Sequence, residues 1–288
     1  MNMNRLFFIG FALITIFSSC KKTENKAPEK LSVSGISDTA VVDFSSTVAV
    51  TSNVAASYSL NKSAAGTVDA MGNYKAGDVP GTYLLTIKSN VNASDSIVKT
   101  IIVTQYATIF NSMRSNGGYL VSFRHAHAEA GADHFDSTIP EWWKSCDSTI
   151  ARQLTPGIGP QQSDTTGMVL KLLKLPFDTI MTSVFCRAKQ TAEHFNLSLP
   201  MKEYEELSQV YDEPNRYAKT MQLYTSKPLT NLNYLVVTHA GYSVKPTPAP
   251  LAGLNWGDCA IFKVNGAGIE PTYLVTIRIQ DWLILGRR

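Results

Sequence analysis

The stretch Tyr119-Leu120-Val121-Ser122-Phe123-Arg124-His125-Ala126-His127 decides how the rest of the chain is interpreted. Its first five residues are mostly aromatic, aliphatic or β-branched, which is typical of a short buried strand. That strand leads directly into Arg124 and His125, a guanidinium followed by an imidazole. In open α/β sheets, ligands bind at the carboxyl ends of the strands. The stretch therefore predicts a strand whose end holds an anion next to a nucleophile.

Two later segments repeat this arrangement of a short strand followed by a side chain that binds phosphate. Phe177 to Ser183 is a predicted strand that leads to Arg187, and Asn233 to Thr238 is a predicted strand that ends on His239. Helical patterns separate the strands, so we predict a largely parallel, three-layer α/β sheet over residues 106–288. Because parallel strands share one carboxyl edge, the side chains that follow them should converge.

The segments between these strands differ in character. Helices are predicted over Ala107 to Asn116, ended by Gly117-Gly118, and over Gly159 to Lys174. The segment from Ala128 to Ile158 has little periodicity and contains Trp142-Trp143 and several acids. We interpret it as a loop over the anion site that determines specificity. The two tryptophans either stack on a substrate or hold the loop in place, and we favour the second.

Two guanidiniums and two imidazoles at one sheet edge suit a phosphoryl group. Arg124 and Arg187 can grip phosphate through paired hydrogen bonds. The imidazole of His239 can donate to another phosphate oxygen, which leaves His125 to attack phosphorus. The two neighbouring guanidiniums should lower the pKa of His125 below the reference of about 6.5 and keep it nucleophilic.

Three motifs in this order resemble the histidine phosphatase (phosphoglycerate mutase-like) superfamily. They are Phe-Arg-His-Ala at 123–126, Cys-Arg-Ala-Lys-Gln-Thr-Ala-Glu at 186–193 and Val-Val-Thr-His-Ala-Gly at 236–241. Ala126 replaces the glycine that is usual in the first motif. The resemblance extends from about residue 115 to about residue 265, including the helix start at Leu154-Thr155 and the segment 257–262. It implies a three-layer α/β/α phosphoglycerate mutase-like domain.

The resemblance also implies an activity and a role for each matched residue. His125 would be the nucleophile that forms a phosphohistidine intermediate, while Arg124, Arg187 and His239 would bind the phosphoryl group and stabilise the transition state. The implied enzyme is a phosphomonoesterase acting on a phosphorylated small molecule, without a metal or other cofactor. The alternative is a phosphate-binding surface module with little or no turnover, an interpretation prompted by Ala126 and by the missing acid described next.

The proton donor for the leaving group stays open. Family members often carry a glutamate in a Leu-x-Glu segment, but the comparable residues here are Leu207-Ser208-Gln209. In another branch an aspartate follows the second histidine, where this chain has Ala240. We take Glu206 as the first candidate, and some small members of the superfamily lack the acid altogether. The other candidates are Glu205, Asp212, Glu213 and an acid of the 128–158 segment such as Glu129.

The amino-terminal residues resemble a bacterial lipoprotein signal. The apolar run Leu6 to Phe17 is right for a signal peptide and too short to span a bilayer. It closes on Ser18-Ser19-Cys20, so the resemblance implies that residues 1–19 are removed and Cys20 is lipidated. An uncleaved anchor is the alternative. Residues 20–30 would be a flexible tether, which places the protein in the cell envelope, lipid-anchored and facing the periplasm or the exterior.

The pattern of residues 31–105 indicates a separate all-β domain. Short alternating runs such as Thr82 to Ile87 and Ser96 to Val103 are separated by turn residues, which predicts a small β-sandwich. The runs Gly72 to Gly77 and Pro80 to Tyr83 resemble bacterial immunoglobulin-like domains. The segment contains no histidine or cysteine, so we interpret it as a spacer, with carbohydrate binding as the alternative.

Composition and cysteine content narrow the function classes. The 288 residues allow two domains, and the formal net charge of +3 is too small to indicate a nucleic-acid partner. After Cys20, an odd number of cysteines remains, so at most one disulfide forms and one thiol stays free. Their spacing is not that of a zinc site, and no metal site is predicted. These cysteines are Cys146, Cys186 and Cys259.

Overall fold

The computed structural model describes residues 29–134, 138–208, 213–240 and 249–287, without the side chains of 213–217 and 249. In these ranges an all-β region precedes an α/β region, which confirms the predicted mixed α/β class. Cys20, Gln209 and Asp212 lie outside the described residues, so the predictions made for them stay predictions. No helix within these ranges is long and apolar enough to cross a membrane.

The all-β region consists of short strands in separate sheets. Strands β2, β9, β8 and β5 form one sheet in that order, and β3, β7 and β6 form another. Tyr74, Leu85 and Ile101 are fully buried in the core of this region. The prediction of several short strands is thus confirmed, whereas the immunoglobulin-like assignment stays a prediction. The strands are β1 Val33–Ser34, β2 Thr39–Val42, β3 Thr47–Ala49, β4 Thr51–Ser52, β5 Ala56–Leu60, β6 Gly66–Val68, β7 Asn73–Ala76, β8 Gly81–Ser89 and β9 Ser96–Val103.

The α/β region is built on a six-stranded sheet with the order β12-β11-β13-β10-β14-β15. Neighbouring strands from β12 to β10 are parallel, while β14 and β15 are antiparallel to their neighbours. The elements are α1 Ala107–Asn116, β10 Tyr119–Arg124, α2 Ile158–Leu173, β11 Phe177–Ser183, α3 Cys186–His194, β12 Met201–Tyr204, α4 Glu213–Thr225, β13 Asn233–Thr238, α5 Ala249–Ala252, β14 Cys259–Lys263, β15 Thr272–Ile277 and α6 Ile279–Leu285.

The central strand β10 shows why the region has three layers. Val121 and Phe123 are buried on one face, in a cluster with residues of α1, α2, α3 and α6. Leu120 points to the other face and packs with Leu223 and Tyr224 of α4. Side chains alternate along a strand, so a strand that is buried at nearly every position is covered on both sides. The two antiparallel strands β14 and β15 are joined by a short connection, which permits a hairpin but not a crossover.

The all-β region packs directly against the α/β region. Val41 of β2 and Ile102 of β9 belong to the same buried cluster as Phe110 of α1 and Trp282 of α6. The hydroxyl of Thr82 donates to the backbone carbonyl of Leu285 at 2.6 Å. We predicted a spacer, but this interface shows that the all-β region also covers apolar side chains of α1 and α6.

Hydrogen bonds from side chains of α1 also contribute to the interface between the two regions. Arg114 donates through Nη1 to the carbonyl of Thr39 and through Nε to the carbonyl of Leu173, both at 3.1 Å. Asn111 donates to the carbonyl of Val41 at 2.9 Å. These side chains join the edge of the β2 sheet to two helices of the α/β region.

We therefore expect residues 106–288 to be less stable alone than when they follow the all-β region. Removing Val41 and Ile102 uncovers Phe110 and Trp282, and exposing apolar side chains of this size costs roughly 3 kcal/mol or more in the free energy of unfolding. Urea denaturation of chains 29–288 and 106–288 measures the difference, with 21–288 as the control for end effects. Equal unfolding midpoints for all three chains would contradict this prediction.

Candidate active site

The strand order brings the predicted site residues together. Strand β13 lies between β11 and β10, and all three are parallel. His125 follows β10, His239 follows β13, and Arg187 lies in the first turn of α3 after β11. The rings of His125 and His239 are 5.0 Å apart, and Nε of Arg187 lies 3.2 Å from Nε2 of His125. The exposed fractions of His125, His239 and Arg187 are 4%, 5% and 2%, so these three side chains form a buried polar centre.

The hydrogen bonds of His125 fix which ring nitrogen is the nucleophile. Nδ1 lies 2.8 Å from the carbonyl oxygen of Ala126, and a carbonyl only accepts, so Nδ1 carries the proton. Nε2 then has the lone pair and accepts from Nε–H of Arg187. Burial, followed by the charges of Arg187 and Arg124, lowers the pKa of His125 well below its usual 6.5. The imidazole is therefore neutral and nucleophilic at Nε2.

The second motif also shapes the loop that carries His125. The hydroxyl of Thr191 accepts from the backbone N–H of Ala126 at 3.0 Å and donates to the carbonyl of Arg187 at 2.8 Å. It thereby joins helix α3 to the residue next to the nucleophile. Ala126 packs with Ala128 and Leu154 in a small buried cluster. Its methyl group is accommodated, so the departure from glycine leaves the backbone contacts of His125 intact.

Arg124 is held by the loop that precedes β14. Its Nη1 donates to the carbonyl of Leu254 at 2.8 Å, and its guanidinium lies 5.3 Å from the ring centre of Trp256. The buried carboxylate of Asp258 accepts from the backbone N–H of Ile279 and from Nη1 of Arg278, both at 2.8 Å. Asp258 thus ties the loop that orients Arg124 to the start of α6.

Arg187 has further contacts on the side away from His125. Its Nη1 donates to Oδ1 of Asp133 at 2.9 Å, and both side chains are almost fully buried. Its guanidinium also lies 4.3 Å from the ring centre of Phe185. The backbone N–H of Arg152 donates to the same Asp133 oxygen at 3.1 Å.

Sequence reasoning missed Arg152 and Asp133 as parts of this centre. The charge of Arg152 contributes to lowering the pKa of His125, and its Nε is buried without a hydrogen-bond partner in the described structure. Arg152 is therefore a third guanidinium available to an anion. One signal was present in the sequence: Arg152 comes just before the Leu154-Thr155 segment that resembles the family's helix start.

The segment from Ala128 to Ile158 is attached to the site by packing and by a disulfide. Cys146 is bonded to Cys186, the first residue of α3, with Cα atoms 5.2 Å apart. Trp142 is buried and packs edge-on against Phe185, so this tryptophan holds the loop in place. The remaining cysteine, Cys259, is free and buried. This arrangement agrees with the prediction of at most one disulfide and one free thiol.

Removing this disulfide should loosen the segment and destabilise the fold. The bond closes a loop across 40 residues, and such cross-links typically contribute about 2–4 kcal/mol to the free energy of unfolding. We expect the double variant Cys146→Ala/Cys186→Ala to unfold at a correspondingly lower urea concentration. Reductant should shift the parent protein in the same direction and leave the double variant unchanged. A reductant-sensitive double variant would contradict the prediction.

Glu206, the first candidate for the acid, has no hydrogen bond or ion pair with His125 in the described structure. Glu206 lies in a short 3-10 turn, where its carbonyl accepts from the hydroxyl of Thr220 at 2.7 Å. Burial lowers the pKa of Lys227, and the charge of Glu206 partly opposes that shift. Within the described residues Glu206 has no hydrogen bond or ion pair with the four other predicted site residues. Its neighbour Glu205 contacts Lys144 instead, at 3.9 Å.

The chemistry of the centre is that of an anion site rather than a metal site. Among the described residues, no cluster of three or more His, Cys, Asp or Glu side chains could hold a metal ion. The polar centre is instead formed by guanidiniums and imidazoles, together with the carboxylate of Asp133. Such a set is suited to binding an anion.

Comparison with known proteins gives likenesses only among solved structures. No protein-family model matches the chain, and no curated protein matches it. The protein histidine phosphatase SixA complexed with tungstate is 21% identical, with 57% of this chain and 98% of that chain covered and a TM-score of 0.40. Phosphoserine phosphatase from Entamoeba histolytica in complex with 3-phosphoglyceric acid is 17% identical, with 57% and 99% covered and a TM-score of 0.38. TTHB049 from Thermus thermophilus is 15% identical, with 56% and 99% covered and a TM-score of 0.36. The chain is thus similar to these structures over little more than half of its length.

Proposed function

We propose that this protein is a phosphatase that hydrolyses phosphomonoesters through a phosphohistidine intermediate on His125. The observation that carries the proposal is the buried Nε2 of His125, which lies 3.2 Å from Nε of Arg187. A neutral imidazole is a nucleophile, and a guanidinium at this distance binds the phosphoryl group that the imidazole attacks. His239 lies on the same side of the sheet edge and supplies a further donor.

The reaction has two displacement steps at phosphorus. In the first, Nε2 of His125 bonds to phosphorus while the bond from phosphorus to the leaving oxygen breaks, and the leaving oxygen takes up a proton. In the second, a water oxygen bonds to phosphorus, the phosphorus–nitrogen bond breaks, and the water gives up a proton. Charge builds on the phosphoryl oxygens in both steps, and fixed guanidiniums stabilise that charge without rearrangement. Arg124, Arg187 and Arg152 are the candidates for this role.

The proposal includes a place in the cell envelope. Cys20, in the sequence that resembles a lipoprotein signal, would carry the lipid that anchors the protein to the membrane, and residues 20–30 would be the tether. The Cys146–Cys186 disulfide supports this placement, because disulfides persist in oxidising compartments and are rare in the cytosol. The substrate would then be a phosphorylated small molecule outside the cytoplasm.

The test is turnover of an aryl phosphate by chain 21–288 in the presence of a chelator. Ethylene glycol is added as a second acceptor for the phosphoryl group. A shared phosphoenzyme predicts the same ratio of glycol phosphate to inorganic phosphate for several aryl leaving groups. A ratio that changes with the leaving group would overturn the covalent intermediate. Binding of inorganic phosphate without any turnover would favour the alternative, a phosphate-binding module.

The lowered pKa of His125 predicts how the site responds to acid. A base with a lowered pKa stays neutral as the pH falls through 6.5 and gains its proton only at lower pH. We therefore expect the ¹⁵N NMR signals of the His125 imidazole to keep the neutral, Nδ1-protonated pattern at pH 6 and below. Assignment comes from the signals that are missing in His125→Asn. A midpoint at or above pH 6.5 would contradict the prediction.

A further inference from the structure

We propose that Asp133 is the residue that gives the proton to the leaving-group oxygen, a role that the sequence left open. This inference rests on the proposed function, because it assigns the acid for the same reaction. Asp133 belongs to the 128–158 segment, and its carboxylate contacts Arg187 directly. Its side chain is 8% exposed, so it is a buried acid at the phosphate-binding centre.

The contacts of Arg187 place Asp133 beside an incoming phosphoryl group. Arg187 donates through Nε to His125 and through Nη1 to Asp133, so one guanidinium contacts both side chains. A phosphoryl group that approaches Nε2 of His125 must also contact this guanidinium. In an in-line displacement the leaving oxygen lies across phosphorus from the attacking nitrogen. A carboxyl group that touches the far end of the same guanidinium is positioned to reach that oxygen.

Substrate binding supplies the change in protonation that an acid needs. In the free protein the Asp133 carboxyl contacts Nη1 of Arg187 at 2.9 Å. Asp133 accepts from Nη1 of Arg187 on α3 and from the backbone N–H of Arg152 in its own loop, and His125 is neutral. A bound phosphoryl dianion competes for these donors and adds negative charge, and both effects favour the protonated acid.

The proton balance closes over one turnover. The Asp133 carboxyl gives its proton to the leaving oxygen as the bond from phosphorus to that oxygen breaks and His125 becomes phosphorylated. The resulting carboxylate then takes a proton from the water that attacks phosphohistidine. Asp133 is then protonated again, as it was in the substrate complex, and His125 is released as the neutral imidazole. When phosphate leaves, the Asp133 carboxyl gives its proton to solvent and pairs with Arg187 again.

Other described carboxylates near the site are held elsewhere. Glu129 is 60% exposed and lies 3.8 Å from Nε2 of His127. Glu205 and Glu141 both contact Lys144 on the surface. Glu206, the first candidate from the sequence, serves as the matched control because it is acidic and has no hydrogen bond or ion pair with His125 or Arg187 among the described residues.

The experiment compares Asp133→Asn with Glu206→Gln in chain 21–288 on two substrates. An aryl phosphate such as 4-nitrophenyl phosphate has a stable leaving anion and needs little protonation, whereas an alkyl phosphate such as glycerol phosphate needs an acid. We expect Asp133→Asn to lower kcat/KM on the alkyl ester by about 10²–10⁴-fold and on the aryl ester by less than about 5-fold. The basic limb of the alkyl pH–rate profile should disappear, and Glu206→Gln should change neither substrate.

Each other outcome overturns the assignment in a different way. Equal losses of kcat/KM on both substrates in Asp133→Asn would make Asp133 a positioning residue for Arg187. Tighter binding of both substrates by this variant would show that the Asp133 carboxylate competes with the substrate for Arg187. Unchanged kinetics, or a selective loss in Glu206→Gln, would return the role to another acid. Asp133→Glu keeps the acid and should recover alkyl activity, so failure of a folded Asp133→Glu also counts against the proposal. Absence of aryl turnover in the parent protein would instead overturn the proposed function itself.

Discussion

Replacing His125 with alanine is expected to lower the turnover of an aryl phosphate by at least about 10⁴-fold, the largest effect of any single substitution in this chain. The variant lacks the group that forms the covalent bond to phosphorus, and loss of a catalytic nucleophile in other hydrolases has effects of this order or larger. The good leaving group makes the test strict, because an aryl ester needs little help apart from the nucleophile.

Loss of turnover should occur without loss of anion binding. Arg187 and Arg124 keep their other contacts in the variant, to Asp133 and to the Leu254 carbonyl. Vanadate, a phosphate analogue, should therefore still bind to His125→Ala with an affinity within about tenfold of the parent. The parent, mixed briefly with ³²P-labelled substrate and denatured, should carry acid-labile, base-stable label that the variant lacks.

A second histidine provides the matched control. His194 lies in α3, like Arg187, but its Nδ1 pairs with Asp164 at the surface at 3.0 Å. His194→Ala should keep turnover within about twofold. Equal turnover in His125→Ala and the parent would remove His125 from the mechanism. Turnover lost together with vanadate binding and cooperative unfolding would show that the variant fails to fold, and His125→Asn would then be the test.

The parts of this site that lie on regular elements were predictable from the sequence. Strand β10 has an apolar residue at nearly every position and is preceded by Gly117-Gly118, so both its extent and its burial on two faces follow from local rules. The strands that lead to Arg187 and His239 have the same character. Convergence of their ends then follows from parallel pairing alone.

The parts that lie on irregular segments were not predictable in the same way. Asp133 and Arg152 belong to a segment without periodicity, whose position depends on a disulfide and on the packing of Trp142 against Phe185. Neither contact leaves a local pattern in the sequence. The packing of Val41 and Ile102 against α1 and α6 was missed for a related reason. The sequence of a strand shows that its side chains are apolar on both faces, but it does not show which elements of the fold cover each face.

Replacing Arg187 with methionine is expected to lower kcat/KM by about 10³-fold or more, the second largest effect. The guanidinium contacts the nucleophile, Asp133 and the ring of Phe185, and preorganised cations of this kind act mainly on the charge of the transition state. Methionine has a similar length and suits a buried position. Unlike His125→Ala, this variant should also bind vanadate at least about tenfold more weakly.

The reason lies in the geometry of the guanidinium, so lysine should not restore activity. An ammonium supplies the charge but not two parallel donors, and Arg187→Lys should recover less than about a tenth of the lost rate. Removing the cation also removes one cause of the lowered pKa of His125, so the pH at which this imidazole gains a proton should rise. Arg287→Met, which removes an exposed arginine, is the control and should change neither quantity.

The double variant Arg187→Met/Asp133→Asn separates catalysis from stability, because it does not leave the buried Asp133 carboxylate without its guanidinium. If this double variant is folded and turns over the aryl ester at the parent rate, Arg187 has no part in phosphoryl transfer. If it is folded and inactive, the loss reflects the missing guanidinium.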